Sequence, residues 1–174
     1  MRERRVGSGE LSGSQPATLI IGLGNPLRAD DGIGPRVVEE LVRRGLPEGI
    51  TARDCGTGGL DLLRVVEGWE RVVVVDAADV EREPGEFVRF TPDQVRLAEA
   101  VDSFSLHDAG LAEALGLARA AGRSLPSMVI FGVQPERIDW AVGLSPTLEA
   151  ALPALVEAVL GEVGEYDDSQ DTDY

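Results

Sequence analysis

Cysteine is nearly absent from this 174-residue chain. Cys55 stands alone, so no intramolecular disulfide can form and the composition fits a reducing compartment. Histidine is as scarce: His107 is the only one, which excludes a His-rich zinc site, an HExxH helix or a Cys cluster as a metal centre. Aromatic residues make up only 5% of a chain that is 43% hydrophobic, so its core must be built mainly from Val, Leu, Ile and Ala. No uninterrupted span of 18 apolar residues occurs. The opening MRERRVGSGELSGSQPA is charged and lacks both the apolar stretch and the small-residue cleavage signal of a secretory leader. Positive charge is also short, with 16 basic residues against 31 acidic ones and a formal net charge of -15, which argues against a surface built to bind phosphates. These absences lead to the expectation of a cytoplasmic monomer that engages neither nucleic acid nor a membrane.

What is present divides the chain into a mobile extension (1–16, rich in Gly, Ser and Arg), one folded domain (17–160) and an acidic disordered tail (161–174). Within the domain, ATLIIGL at 17–23 has the continuous apolar character of a strand buried on both faces. A helix is expected from Gly34 and Pro35, with Val37, Val38, Leu41 and Val42 on one face and a stop at Gly45 and Pro47. ITARD at 50–54 alternates as a half-exposed strand, and a short helix follows around Leu60, Leu62, Leu63 and Val66, ended by Gly68. The run of valines from Val72 reads as a buried central strand with Asp76 at its carboxyl end. FVRF at 87–90 is a weaker strand, 91–105 a loop with one helical turn near Pro92, and a helix is expected from near His107 to Gly122. SMVIFGV at 127–133 is the last strong strand. Ser145 and Pro146 open a final helix, which Pro153 is expected to bend. Alternating strands and helices specify an α/β domain with a mostly parallel sheet covered on both faces.

In such sheets ligands bind beyond the carboxyl ends of the strands. Three residues satisfy that rule: Asp31 in GLGNPLRADDGIG after the first strand, Asp76 on the valine strand, and His107 at the head of a helix. One imidazole and two carboxylates suit a borderline divalent ion such as nickel or zinc, with water or a guest ligand completing the shell. A helix N-terminus would favour the neutral, metal-binding form of the imidazole. Each has a structural alternative. Asp31 can be a cap or turn former, Asp76 can cap the next helix, and a lone histidine at a helix start is often structural. Gly22 and Gly24 form only part of a dinucleotide fingerprint, because Leu27 stands where a third glycine belongs and Pro26 obstructs the helix start. No Cys/His signature surrounds Cys55, which reads as a free thiol rather than a nucleophile.

GLGNPLRADDGIGPRVVEEL, DCGTGGLDLL, VVVVDAAD, SLHDAGL, FGVQPE and GLSPTLEA, in that order, resemble the hydrogenase maturation endopeptidases, which remove the C-terminal peptide of the [NiFe]-hydrogenase large-subunit precursor after nickel insertion. The resemblance covers residues 18 to 160. It implies a twisted five-stranded sheet between helices and an aspartic or metal-dependent type of hydrolase. The metal-binding and catalytic trio would be Asp31, where relatives often carry the longer glutamate, with Asp76 and His107. Asp54, Gly56 and Thr57, in the loop from Asp54 to Gly59, would contribute to substrate recognition. It further implies that the nickel arrives with the substrate, that the partner is the large-subunit precursor, and that no organic cofactor is needed. Two other readings share parts of the pattern. A non-catalytic, nickel-dependent hydrogenase assembly chaperone would use the same trio. LIIGLGNP is also similar to the opening of peptidyl-tRNA hydrolases, although Asp30, Asp31 and Gly32 follow where those enzymes carry catalytic asparagine and histidine.

Overall fold

A computed structural model describes residues 17–57, 61–94, 105–106 and 109–168. The extension expected at 1–16 lies outside the described residues, as does His107. In chain order the elements are β1 (Thr18–Gly22), a 3-10 turn (Ala29–Gly32), α1 (Ile33–Arg44), β2 (Ile50–Asp54), α2 (Leu62–Val65), β3 (Arg71–Asp79), β4 (Phe87–Phe90), β5 (Ser105–Leu106), α3 (Ala109–Ala120), β6 (Ser127–Val133) and α4 (Pro146–Asp168).

The main sheet runs β2-β1-β3-β6-β4, parallel except for β4, and the two-residue β5 pairs antiparallel with the end of β3. This is the expected five-stranded, mostly parallel arrangement with a short addition. The side-chain period of two sorts the central strands onto two cores. Ile20, Val73, Val75, Val129 and Phe131 point to α1 and α4, where Val37, Leu41, Leu148, Leu155 and Val159 meet them. Leu19, Ile21, Val72, Val74 and Ile130 point the other way, toward Leu62 of α2 and Leu111 and Leu115 of α3. Two helical layers thus sandwich one sheet, and the valine run is buried because both of its faces are covered.

Three boundaries differ from the sequence expectation for identifiable reasons. First, β3 continues past Asp76 to Asp79 because β6 remains paired as far as Ala77 and β5 pairs with Ala78 and Asp79. Asp76 is therefore inside the strand; it is β1 that has ended there, since Gly22 pairs with Val75. Second, α1 starts at Ile33 and is preceded by the 3-10 turn, which places Pro35 third in the helix rather than first. The position is still tolerated because the first four helical N–H groups have no intrahelical acceptor. Third, α4 passes Pro153 and extends to Asp168, so residues 161–168 are helical rather than part of a disordered tail. Glu162 anchors this last stretch. Its carboxylate pairs with Arg71 of β3 and accepts from Arg89 Nε of β4 at 2.5 Å, while its carbonyl accepts from Arg71 Nη1 at 2.9 Å. Among the described residues no helix is long and apolar enough to cross a membrane.

Candidate active site

The connection from β1 leads through α1 to β2 on one side, whereas β3 is followed in the sheet by β6 on the other, so the chain reverses direction between β1 and β3. A crevice at the carboxyl ends of the strands is expected at such a reversal. The loop 23–32 and Asp76 both lie there.

Glycines let this loop close onto the strand ends. A Cβ on Gly34 would stand 2.5 Å from the Leu23 nitrogen and 2.6 Å from the Val75 carbonyl oxygen, so only glycine lets the start of α1 rest against β1 and β3. Gly24 has φ +121° and would place a Cβ 1.8 Å from the Asp31 carbonyl oxygen. The glycine spacing that partly matches a nucleotide fingerprint thus serves close backbone approach. The 3-10 turn carrying Asp30 and Asp31 consequently packs on the carboxyl end of β3.

The adjacent aspartates have different surroundings. Asp30 is fully buried and accepts three backbone N–H groups: Glu136 at 2.9 Å and Arg137 at 3.0 Å on Oδ2, and Ser145 at 2.6 Å on Oδ1. It binds both ends of the β6–α4 connection to the site loop. Ser145 also caps α4, its Oγ accepting from the Leu148 N–H at 3.3 Å. Asp31 is 3% exposed, and its Oδ2 accepts the Asn25 N–H at 2.9 Å; Asn25 Oδ1 in turn accepts from Leu27 N at 2.9 Å. Asp76 is 4% exposed, on the same strand face as Val72 and Val74. Asp31 and Asp76 are therefore brought to one end of the sheet, on elements in contact. His107 lies outside the described residues, although the Leu106 that precedes it pairs with Ala78, two residues beyond Asp76. Among the described residues no group of three or more His, Cys, Asp or Glu is placed to hold a metal.

The loop expected to recognise substrate flanks the aspartate loop. Asp54 ends β2 and its Oδ1 accepts the Gly56 N–H at 2.9 Å, closing a turn in which Gly56 takes φ +55°. The Gly56 carbonyl accepts from Gly24 N at 2.8 Å, Cys55 N donates to the Gly22 carbonyl at 2.9 Å, and Thr57 is exposed. Burial raises the Cys55 thiol above its ordinary pKa, which keeps it protonated near neutrality and supports its reading as a structural thiol rather than a nucleophile.

A family model described as hydrogenase maturation protease matches residues 35–162. The chain belongs to the hydrogenase maturation protease family. Asp76 and His107 fall within the matched segment, which begins four residues after Asp31. The hydrogenase expression/formation protein HupD of Bradyrhizobium diazoefficiens is 34% identical over 150 residues, covering 85% of this chain and 78% of that protein. The hydrogenase maturating endopeptidase HybD of Escherichia coli superposes with a TM-score of 0.73 at 33% identity, over 85% of this chain and 92% of its own. The [NiFe] hydrogenase maturation protease HybD of Thermococcus kodakarensis gives a TM-score of 0.69 at 26% identity, over 84% and 98%. Both the fold and the protease class follow from these matches, and the peptidyl-tRNA hydrolase alternative is set aside. The glycine-rich opening shared with those hydrolases serves here to bring α1 onto the strand ends.

Two contributors to the site were not apparent from sequence. Nothing local in the sequence separates Asp30 from Asp31, yet Asp30 organises the loop. Gln134, in FGVQPE, holds the turn after β3: its Oε1 accepts from Val80 N at 2.8 Å and Arg82 N at 3.3 Å.

Proposed function

We propose that this protease removes the C-terminal peptide from the large-subunit precursor of a [NiFe] hydrogenase, and that it recognises a precursor already loaded with nickel through Asp31, Asp76 and His107. The observation that carries the reading is the placement of two nearly buried carboxylates, Asp31 and Asp76, at the β1/β3 reversal of a maturation-protease fold. The donor set is chemically suited to the ion, since carboxylate and imidazole ligands accommodate borderline divalent metals. The nickel belongs to the substrate. When bound, it supplies polarisation of a carbonyl or a water.

The chain's own residues hold and position the scissile segment. Asp31 is fixed by the Asn25 N–H and by the packing of the 3-10 turn on β3, and Asp76 by the parallel pairing of β3 with β6. A carboxylate at this position takes the proton from the attacking water and delivers it to the departing amine as the peptide C–N bond breaks. Asp54, Gly56 and Thr57 border the same crevice and are assigned to contact with the precursor. A docking step that needs the ion rejects unfilled precursor, because two carboxylates brought together without a cation repel each other.

The test is cleavage of purified precursor, with and without nickel, followed by mass spectrometry for wild type and the variants Asp31→Ala, Asp76→Ala and His107→Ala. Processing of the nickel-loaded form alone, lost in the variants, is the expected result. Equal processing of nickel-free precursor, or full activity in the variants, overturns the role of the trio. Stable capture of loaded precursor by wild type without any shortened product would instead establish the chaperone reading.

A further inference from the structure

Three large apolar side chains stand in solvent beside the site: Leu27 is 54%, Trp140 80% and Val142 83% exposed. They come from two segments far apart in sequence that the fold ties together. Arg28 and Ala141 form a parallel bridge, Ala29 N donates to the Ala141 carbonyl at 2.7 Å, and Ala141 N donates to the Leu27 carbonyl at 3.1 Å. The segment bearing Trp140 and Val142 is secured at both ends by the Asp30 carboxylate through the N–H groups of Glu136, Arg137 and Ser145. An apolar patch is thus held on a rigid frame in a chain whose formal charge is -15.

The patch is continuous with the candidate active site. A pocket of about 410 Å³ is lined by Val142, Leu144, Pro26, Gly32 and Asp54, with Arg36, Glu39 and Glu149 forming a charged side toward α1 and α4. Gly32 directly follows Asp31, and Asp54 begins the loop assigned to substrate contact. One wall is therefore shared between the apolar patch, the 3-10 turn of the aspartates and the recognition loop. Any occupant of the patch also borders the crevice where the peptide must enter, and a second copy of the chain seated there would obstruct it. Exposed tryptophan and branched aliphatic side chains on a fixed backbone are the usual anchors of protein recognition, because they bring large apolar area at little ordering cost.

We propose that Leu27, Trp140 and Val142 form the docking surface for an apolar segment of the precursor polypeptide, which seats over the pocket and delivers the scissile bond to the adjacent aspartates. This rests on the reading of the protein as a precursor-processing protease. It adds a binding surface separate from the metal-recognising trio.

The experiment compares wild type with Trp140→Ser, Val142→Ser and the double variant in steady-state cleavage of nickel-loaded precursor. The side chains are mostly in solvent, so the melting temperature of each variant should stay within about 2 °C of wild type, which excludes misfolding as a cause. The expected result is a KM raised about tenfold or more for Trp140→Ser, with kcat retained, as for an anchor that binds ground and transition states alike. In a Trp69→Phe background, where Trp140 is the remaining tryptophan, added precursor should also shift its emission to shorter wavelength. Wild-type KM in the double variant overturns the docking surface while leaving the proposed function intact. Loss of kcat at unchanged KM also overturns it, as does a wild-type dimer that Trp140→Ser dissociates without changing KM. Failure of wild type to cleave loaded precursor removes the underlying function instead.

Discussion

Replacing Asp30 with alanine should separate the structural carboxylate of the DD pair from its neighbour. The substitution removes the acceptor of three backbone N–H groups, but the three losses are unequal. Ser145 is 2% exposed and its N–H, 2.6 Å from Oδ1, has no easy route to water. Glu136 and Arg137 are exposed residues, and their N–H groups can be rehydrated in part. Orphaning a buried donor costs about 2–3 kcal/mol and weakening each of the others about 1 kcal/mol, so Asp30→Ala should lose roughly 4 kcal/mol. At roughly 2–4 °C per kcal/mol for a domain of this size, the melting temperature should fall by about 10 °C. Asp30→Asn keeps one oxygen. With that oxygen toward Glu136 and Arg137, its amide group faces the Ser145 N–H, so the expected loss is smaller but still clear. Amide hydrogen exchange provides the local readout: protection should fall at residues 136, 137 and 145, and at Ala141, whose N–H donates to Leu27. A melting temperature of Asp30→Ala within about 2 °C of wild type, or unchanged exchange at these amides, would refute the assignment of Asp30 as the tie between the two loops.

Further expectations concern the frame around the site. Glu162→Ala removes the carboxylate that pairs with the Arg71 side chain, 6% exposed, and with Arg89, and should cost about 3 kcal/mol in urea unfolding; a loss below 1 kcal/mol contradicts the anchoring of the α4 end. Arg89 holds the Glu162 carboxyl below its ordinary pKa of 4.5, so the stabilisation by ionised Glu162 is present above that value and declines in more acidic solution. Glu40 behaves alike: hydrogen bonds from Arg43 and Arg44 lower its pKa from 4.5 to about 2. Its contribution is complete above pH 4.5 and lost as pH falls toward 2, so the unfolding midpoints of wild type and Glu40→Gln should differ by a constant amount from pH 6 to 8 and converge below 4.5. A gap that widens on acidification refutes the sign. Gly34→Ala forces a Cβ to within 2.6 Å of the Val75 carbonyl, and both melting temperature and precursor cleavage should drop together; wild-type values for both would show that α1 can withdraw from β3 without disturbing the aspartates.

The elements legible in the sequence are those whose cause is local. An apolar run such as ATLIIGL, the periodic valines and leucines of α1, and Ser145 before Pro146 each carry their signal within a few residues; β1 and the start of α4 lie where that signal places them, and α1 does so for Val37, Val38 and Leu41 but not for Val42, which is exposed. That Asp31 and Asp76 lie toward one end of the sheet is legible as well, since each follows an apolar strand run, although β3 itself continues past Asp76. The features that escaped depend on partners distant in the chain. Asp30 bonds to residues 106, 107 and 115 positions away, and Glu162 to Arg71, 91 positions away. No periodicity records such pairings, so nothing local distinguishes Asp30 from its neighbour, and the acidic composition from residue 161 onward is that of a solvated tail. The DD pair explains why that distinction affects function. A 3-10 turn directs successive side chains roughly a third of a turn apart, so one carboxylate can be consumed by the backbone of the β6–α4 connection while the next turns to the Asn25 N–H within the site loop. Loss of either aspartate should then abolish processing, Asp31 through the site itself and Asp30 through the frame that holds both the site loop and the Trp140 segment. Activity alone cannot assign the two roles. The pair of readouts that can is stability together with cleavage: Asp30 variants lose both, whereas Asp31→Asn should lose cleavage well beyond any loss of stability.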